Sequence, residues 1–128
     1  MMSKVVWFEI YVEDMDRAQQ FYETVLGVEL KDMTDPTEND GPSMVMRGFP
    51  GDMEGYGAGG ALVKMAGFES GKNSTLVYFG SQNCTTEENR VVDAGGKIVQ
   101  SKMAIGKHGF VTLCTDTEGN MFGLHSME

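Results

Sequence analysis

The alternation of apolar and polar positions near the N-terminus predicts a strand followed by a helix. Residues 5–12 (VVWFEIYV) are rich in β-branched and aromatic side chains and alternate with a period of two. This alternation places Trp7, Glu9 and Tyr11 on one face of the strand. An amphipathic helix follows, with Asp14 in the position of its N-cap, and a short strand comes after it. The chain therefore begins with a strand, a helix and a strand.

The same order of elements recurs in the second half of the chain. Asn83 has the position of an N-cap for a second helix, and Gly96 the position at which that helix ends. These two residues lie 69 positions after Asp14 and Gly27, which have the same roles in the first half. A fixed offset between matching positions indicates an internal repeat.

Several short strands follow each helix, so each half of the chain reads as a βαβββ module. We predict one α+β domain built from two modules, at residues 4–66 and 73–127. A four-stranded sheet with one helix leaves its second face uncovered. We therefore expect the two curved sheets to enclose a shared cavity.

The stretch GYGAGG, residues 55–60, has the spacing of a dinucleotide-binding fingerprint. That fingerprint needs a strand before it and a helix after it, because the helix N-terminus receives the pyrophosphate. Here a turn-rich segment containing Pro50 precedes the glycines, and the strand-like sequence ALVKM follows them. We predict a glycine-rich loop that leads into a strand, and no nucleotide site.

Composition excludes several kinds of partner. The chain has 128 residues and a net charge of −9, which repels nucleic acid and anionic membranes. No apolar run is long enough to span a membrane, and nothing resembles a secretory signal. Cys84 and Cys114 form no C-x-x-C pair, so we interpret them as reduced thiols. We expect a cytoplasmic protein that binds neither nucleic acid nor membranes.

Two stretches carry a resemblance to a known superfamily. Residues 12–28 match the pattern V-x-D-x-x-R-A-x-x-F-Y-x-x-x-L-G-V, and residues 116–126 read DTEGNMFGLHS. With the paired modules, they resemble the vicinal oxygen chelate superfamily, which includes glyoxalase I, extradiol dioxygenases and bleomycin-resistance proteins. The resemblance covers residues 5–126 and implies the glyoxalase/bleomycin resistance fold. Similar proteins commonly dimerise, so a homodimer is expected.

The resemblance also implies where a metal would be held. Enzymes of the superfamily usually bind a divalent metal through one residue on the first strand and one on the last strand of each module, commonly His and Glu. In this sequence those positions are Trp7, Leu76, Gly123 and a residue in the range 59–62. None of them is a suitable ligand, so we predict no metal site and no cofactor. A displaced metal site on Glu9 and His125 stays open as an alternative, although two ligands are few.

Two functions remain open at this point. The first is a non-catalytic protein that binds an aromatic or amphipathic small molecule in its cavity. The residues predicted to line that cavity are Trp7, Tyr11, Met46, Leu76, Tyr78, Phe79, Met121 and Gly123. The second is a metal-independent or displaced-metal enzyme related to lactoylglutathione lyase, with a lyase, isomerase or dioxygenase-like activity. In that enzyme Glu9 would be the general base, and His125 or Tyr78 the acid or an orienting group.

Overall fold

The computed structural model describes residues 5–33, 44–51 and 57–128. Their elements in chain order are β1 (Trp7–Tyr11), α1 (Met15–Leu26), β2 (Lys31–Asp32), β3 (Met44–Gly48), β4 (Gly59–Met65), β5 (Tyr78–Gly80), α2 (Cys84–Val91), β6 (Lys97–Ala104), the 3-10 helix η1 (Gly106–His108), β7 (Phe110–Thr115) and β8 (Met121–Ser126). The order βαβββ occurs twice, which confirms the predicted α+β fold.

The helix boundaries follow mostly from local capping. The Asp14 and Asn83 side chains each accept a hydrogen bond from the main chain of the first turn of their helix, as predicted. Gly27 ends α1 in the left-handed conformation, with φ 68°. The predicted end of α2 at Gly96 is wrong, because the helix already ends at Val91. The chain then tightens into a turn, in which the Gly96 N–H donates to the Val91 carbonyl.

Strand boundaries differ from the sequence pattern by a few residues. Strand β5 has only three residues, Tyr78–Gly80, whereas β6 has eight and continues to Ala104. Gly59 begins β4, so a strand and not a helix follows the glycine-rich stretch. Residues 55 and 56 of that stretch lie outside the described residues.

The strands form two four-stranded sheets of identical topology. Sheet 1 has the order β1-β4-β3-β2, and sheet 2 has the order β5-β8-β7-β6. In both sheets the first strand pairs in parallel with the last, and the remaining pairs are antiparallel. Glu9 stands opposite Ala61, and Tyr78 stands opposite Gly123. Because Glu9 and Tyr78 are 69 positions apart, the register matches the repeat seen in the sequence.

A single hydrophobic core fills the space between the sheets. Tyr22 of α1 is fully buried, and its ring centroid lies 5.6 Å from that of Phe49, 5.9 Å from Phe79 and 5.4 Å from Phe122. Helix α1 therefore contacts both sheets. The amphipathic helix buries its apolar face between the sheets, so the sheets meet through their helix-covered faces and not through the uncovered faces that were expected to enclose a cavity. The two sheets are consequently not closed around a shared cavity within one chain.

The opposite side of each sheet, called its open face below, does not contribute to this core. The open face of sheet 1 carries Trp7, Glu9 and Tyr11, and that of sheet 2 carries Tyr78 and His125. Large apolar side chains on these faces are exposed, namely those of Trp7, Met33, Met44, Tyr78 and Met103. Within the described residues no helix has the length and apolar character that a membrane span requires.

Candidate functional site

The open face of sheet 1 presents the Glu9 carboxylate between two aromatic side chains. The Trp7 indole Nε1–H donates to Glu9 Oε2 at 3.2 Å, and the Tyr11 hydroxyl donates to Glu9 Oε1 at 2.8 Å. The three residues alternate along β1 and share a face, as the sequence predicted. Each oxygen of the carboxylate is thus held by one neutral donor.

Tyr11 is fixed in place by a residue that the sequence did not single out. Its ring stacks on that of Phe68, with centroids 4.9 Å apart and an interplanar angle of 18°. The hydrogen bond to Glu9, followed by partial burial and the negative charge of Glu9, raises the pKa of Tyr11 above its ordinary value of 10.0. Tyr11 therefore keeps its proton and serves Glu9 as a donor. Phe68 follows β4 in a turn, where no periodicity indicates which face a side chain takes.

Two aromatic rings of the open faces each lie over a glycine of the neighbouring strand. Gly59 is opposite Trp7, and a Cβ added to Gly59 would lie 3.4 Å from the indole ring. Gly123 is opposite Tyr78, and an added Cβ would approach the Tyr78 ring to 2.4 Å. Trp7 and Tyr78 still have 43% and 48% of their surface exposed. The glycines therefore provide the space in which flat, solvent-accessible rings rest on the sheets.

Methionine side chains border these rings. Met46 is opposite Val63, which in turn is opposite Tyr11, so Met46 lies on the open face of sheet 1. Met121 alternates with Gly123 along β8 and lies on the open face of sheet 2. Thioether side chains adapt their shape readily, which suits a surface that receives a ligand.

His125 occupies the open face of sheet 2, next to Gly80 on β5. Its Nε2 lies 2.7 Å from the main-chain carbonyl oxygen of His108 in η1. Because a carbonyl only accepts, Nε2 carries a proton and donates it. The contact to η1 fixes the orientation of the ring.

The predicted site residues therefore form two separate groups. Sheet 1 contributes Trp7, Glu9, Tyr11 and Met46, and sheet 2 contributes Tyr78, Met121, Gly123 and His125. Leu76 lies outside the sheet, two residues before β5 begins. Among the described residues, no hydrogen bond or aromatic contact joins Glu9 to Tyr78 or His125. Phe79 was wrongly predicted to line the cavity. It alternates with Tyr78 along β5 and packs in the core against Phe8 and Phe49.

Two open depressions occur elsewhere, beside the start of α1. Their volumes are about 550 and 420 Å³, and both are bordered by Glu13, Val45 and Lys64. Neither is lined by a predicted site residue. As far as residues 5–33, 44–51 and 57–128 show them, the open faces are broad, exposed surfaces.

Comparison with known proteins agrees with this architecture. Residues 4–39 match the family model described as "Bleomycin resistance protein-like N-terminal". Glyoxalase I from Zea mays has a similar structure, with a TM-score of 0.74 and 21% identity over 94% of this chain and 45% of that chain. The chain therefore has the glyoxalase/bleomycin resistance fold, and its N-terminal part is similar to bleomycin resistance proteins. No curated protein sequence matches it significantly.

Two further members of this fold are similar over nearly their whole length. One is TnmS3, an antibiotic-binding protein from Streptomyces sp. CB03234, with a TM-score of 0.66, 20% identity, and 98% of this chain and 96% of that chain covered. The other is a glyoxalase-related enzyme from Fulvimarina pelagi, with a TM-score of 0.64, 14% identity, and 98% and 88% covered. Identities this low show the fold alone. The chain spans about half of the maize enzyme, 45% of its length.

The resemblance predicts metal ligands at four positions, and the side chains found there are not ones that bind a divalent cation. The register identifies Ala61 as the first-module counterpart of Gly123, since it stands opposite Glu9 as Gly123 stands opposite Tyr78. Together with Trp7 and Leu76, these positions offer no oxygen, sulfur or imidazole ligand. No group of three or more His, Cys, Asp or Glu that could hold a metal ion occurs within residues 5–33, 44–51 and 57–128. Glu9 and His125, the candidates for a displaced site, lie on different sheets.

Proposed function

We propose that this glyoxalase-like protein binds a planar aromatic or amphipathic small molecule on its open faces, without a divalent metal. The observation that carries this proposal is the pair of exposed rings, Trp7 over Gly59 and Tyr78 over Gly123. A planar ligand would stack on such a ring and gain about 0.5–1.5 kcal/mol beyond the area it buries. The adjacent methionines Met46 and Met121 would adapt to its outline.

The fold is compatible with this role. TnmS3, which has the same architecture, is an antibiotic-binding protein and covers nearly the same length. TnmS3 therefore supports the proposal that a chain of this size and fold can serve to bind a small molecule without catalysing a reaction. The sequence of the present chain supports it further, because the residues at the metal positions are aromatic, apolar or glycine.

We propose in addition that the binding site is completed in a homodimer. Each chain exposes large apolar side chains on both open faces, and Trp7 and Tyr78 are nearly half exposed. If sheet 1 of one chain faced sheet 2 of a second copy, a ligand would be enclosed between Trp7 and Tyr78 of different chains. Light scattering at micromolar concentration tests this, with twice the chain mass as the expected result. A monomer with full ligand affinity would refute the shared site.

The binding proposal is tested by calorimetry with N-acetyl-naphthylethylamine, a neutral planar aromatic compound. We expect Trp7→Ala and Tyr78→Ala each to weaken binding roughly tenfold, because the stacking platform is lost. Val92→Ala is the matched control, since Val92 is an exposed apolar residue at the end of α2. No binding by the wild type, or equal affinity in all four proteins, would refute the proposal.

The alternative function, an enzyme that uses Glu9 as base and His125 as acid, requires a different arrangement. Glu9 and His125 would have to reach the same substrate, and within one chain they belong to different sheets. An enzyme of this kind would therefore also depend on the dimer. Turnover of a substrate that stops in both Glu9→Gln and His125→Gln would support catalysis in place of simple binding.

A further inference from the structure

We infer that Glu9, together with the rings of Trp7 and Tyr11, recognises a cationic group of the ligand, such as a protonated amine or a guanidinium. This inference rests on the proposed function, and it adds the chemical class of the ligand. The aromatic body would stack on the open faces, and its positive charge would be placed at Glu9.

The negative charge of Glu9 has no cationic partner among the described residues. The ion pairs of this part of the chain join Arg17 to Glu118, Arg47 to Asp16 and Lys72 to Glu69. Glu9 receives only the indole N–H and the phenol O–H, which are neutral donors. These two hydrogen bonds orient the carboxylate and leave its charge uncompensated. A charged group on an apolar surface is costly unless it is hydrated, paired or used.

The geometry leaves room for a ligand cation. A carboxylate has about four acceptor positions, and Trp7 and Tyr11 occupy two of them. Glu9 and Trp7 are exposed, so the remaining positions are open to solvent. The indole and phenol rings also attract a cation through their π faces, within about 6 Å of the ring centre. The Glu9 carboxylate and the two aromatic rings would therefore all attract the same positive group of the ligand.

Two lysines on the strands of sheet 1, Lys31 and Lys64, are not in position to pair with Glu9. Lys31 shares the open face of sheet 1, because it stands opposite Gly48. It belongs to β2, three strands away from β1, which corresponds to roughly 14 Å. Lys64 alternates with Val63 along β4 and therefore points to the other side of the sheet. The net charge of −9 adds a long-range attraction for cations.

The test compares two probes that differ in charge and share an aromatic ring. Naphthylethylamine is protonated at neutral pH, whereas its N-acetyl derivative is neutral. We expect the wild type to bind the amine about tenfold more tightly, as for a charge-assisted hydrogen bond. In Glu9→Gln this preference should disappear, so that the ratio of the two affinities falls to about one. Glu29→Gln removes the same charge from an exposed position outside the sheets and should keep the preference.

Each other outcome has a distinct meaning. Equal affinities of the wild type for the two probes would overturn the cation site and leave the binding function intact. A preference that persists in Glu9→Gln, or is lost equally in Glu29→Gln, would also overturn it, because the effect would then come from the overall charge or from another residue. If neither probe binds the wild type, the proposed function fails and this inference fails with it.

Discussion

Glu118, in the turn between β7 and β8, accepts a hydrogen bond from the main-chain N–H of Asp14 through Oε1, at 2.8 Å. The Glu13 N–H donates to the same oxygen at 3.0 Å, and the Arg17 Nε–H donates to Oε2 at 2.8 Å. A side chain of the second module thus satisfies main-chain donors at the start of α1, in the first module. This one buried carboxylate ties the two halves of the chain together.

Replacing Glu118 with Gln should produce a loss of stability that depends on pH. Burial alone would raise the pKa of Glu118, but hydrogen bonds from Arg17, from the Asp14 main chain and from Thr117 lower it from 4.5 to about 2. A depressed pKa contributes stability above pH 4.5 that is lost as the pH falls toward about 2. The free energy of unfolding of the wild type should therefore be roughly 3 kcal/mol higher than that of Glu118→Gln at neutral pH. This difference should become smaller as the pH falls.

Denaturant unfolding at a series of pH values between neutral pH and pH 2 measures this difference. Glu69→Gln is the control, because Glu69 forms an exposed ion pair with Lys72. Burial raises the pKa of Asp116, so Asp116 has the opposite effect on how stability changes with pH. Asp116 is present in the wild type and in both variants, so its contribution cancels when they are compared. A constant difference across this pH range would contradict the assignment.

Tyr22→Phe should destabilise the protein by about 1–3 kcal/mol. The Tyr22 hydroxyl donates to Asp116 Oδ2 at 2.7 Å, and both residues are buried. Removing the hydroxyl leaves a buried carboxylate with one donor fewer. Tyr78→Phe is the matched control, since Tyr78 is largely exposed and its hydroxyl has no partner among the described residues. Equal melting temperatures for the two variants would show that the bond contributes nothing.

Gly96→Ala should lower the stability of the protein strongly, although it adds only one methyl group. A Cβ at this position would lie 2.4 Å from the main-chain oxygen of Thr115 and 2.6 Å from the Phe21 ring. The backbone oxygen cannot move without disturbing β7, so we expect a loss of about 2–3 kcal/mol. In Gly80→Ala, by contrast, an added Cβ meets nothing within 4 Å. That variant should be neutral or slightly more stable in thermal unfolding.

The hydrogen bond between Tyr11 and Glu9 makes a prediction about titration. Glu9 raises the pKa of Tyr11, mainly through this bond. Glu9→Gln should therefore move the Tyr11 pKa back toward 10.0. NMR of ring-labelled tyrosine follows the titration residue by residue, with Tyr11→Phe used to assign the signal. An unchanged Tyr11 pKa in Glu9→Gln would mean that the bond does not form in solution.

Local patterns were sufficient to predict much of the fold and part of the site. Alternation along β1 correctly placed Trp7, Glu9 and Tyr11 together, because a strand reverses its side chains at every residue. The same rule, applied to Tyr78 and Phe79, would have excluded Phe79 from the ligand face. The caps Asp14 and Asn83 were predictable because an N-cap bonds within its own first turn.

Contacts between the modules were not predictable in the same way. Glu118 lies 104 residues from Asp14 along the chain, and in the sequence it looks like one more acidic residue in a polar turn. The location of the core was also missed, because the amphipathic pattern of α1 shows that Tyr22 is buried without showing against which sheet. Tyr22 packs against both sheets, and this explains why the helix-covered faces meet in the core while the uncovered faces enclose no shared cavity within one chain.

The sharing of Tyr22 between the two sheets has a consequence for how the two modules depend on each other. A single module would expose the aromatic side chains that here meet across the middle of the molecule, and its α1 would lose the acceptor supplied by Glu118. A separate polypeptide of one module would therefore need a second copy to cover these groups, and its stability would depend on concentration. In the present chain the covalent connection makes this association intramolecular, so it is independent of protein concentration.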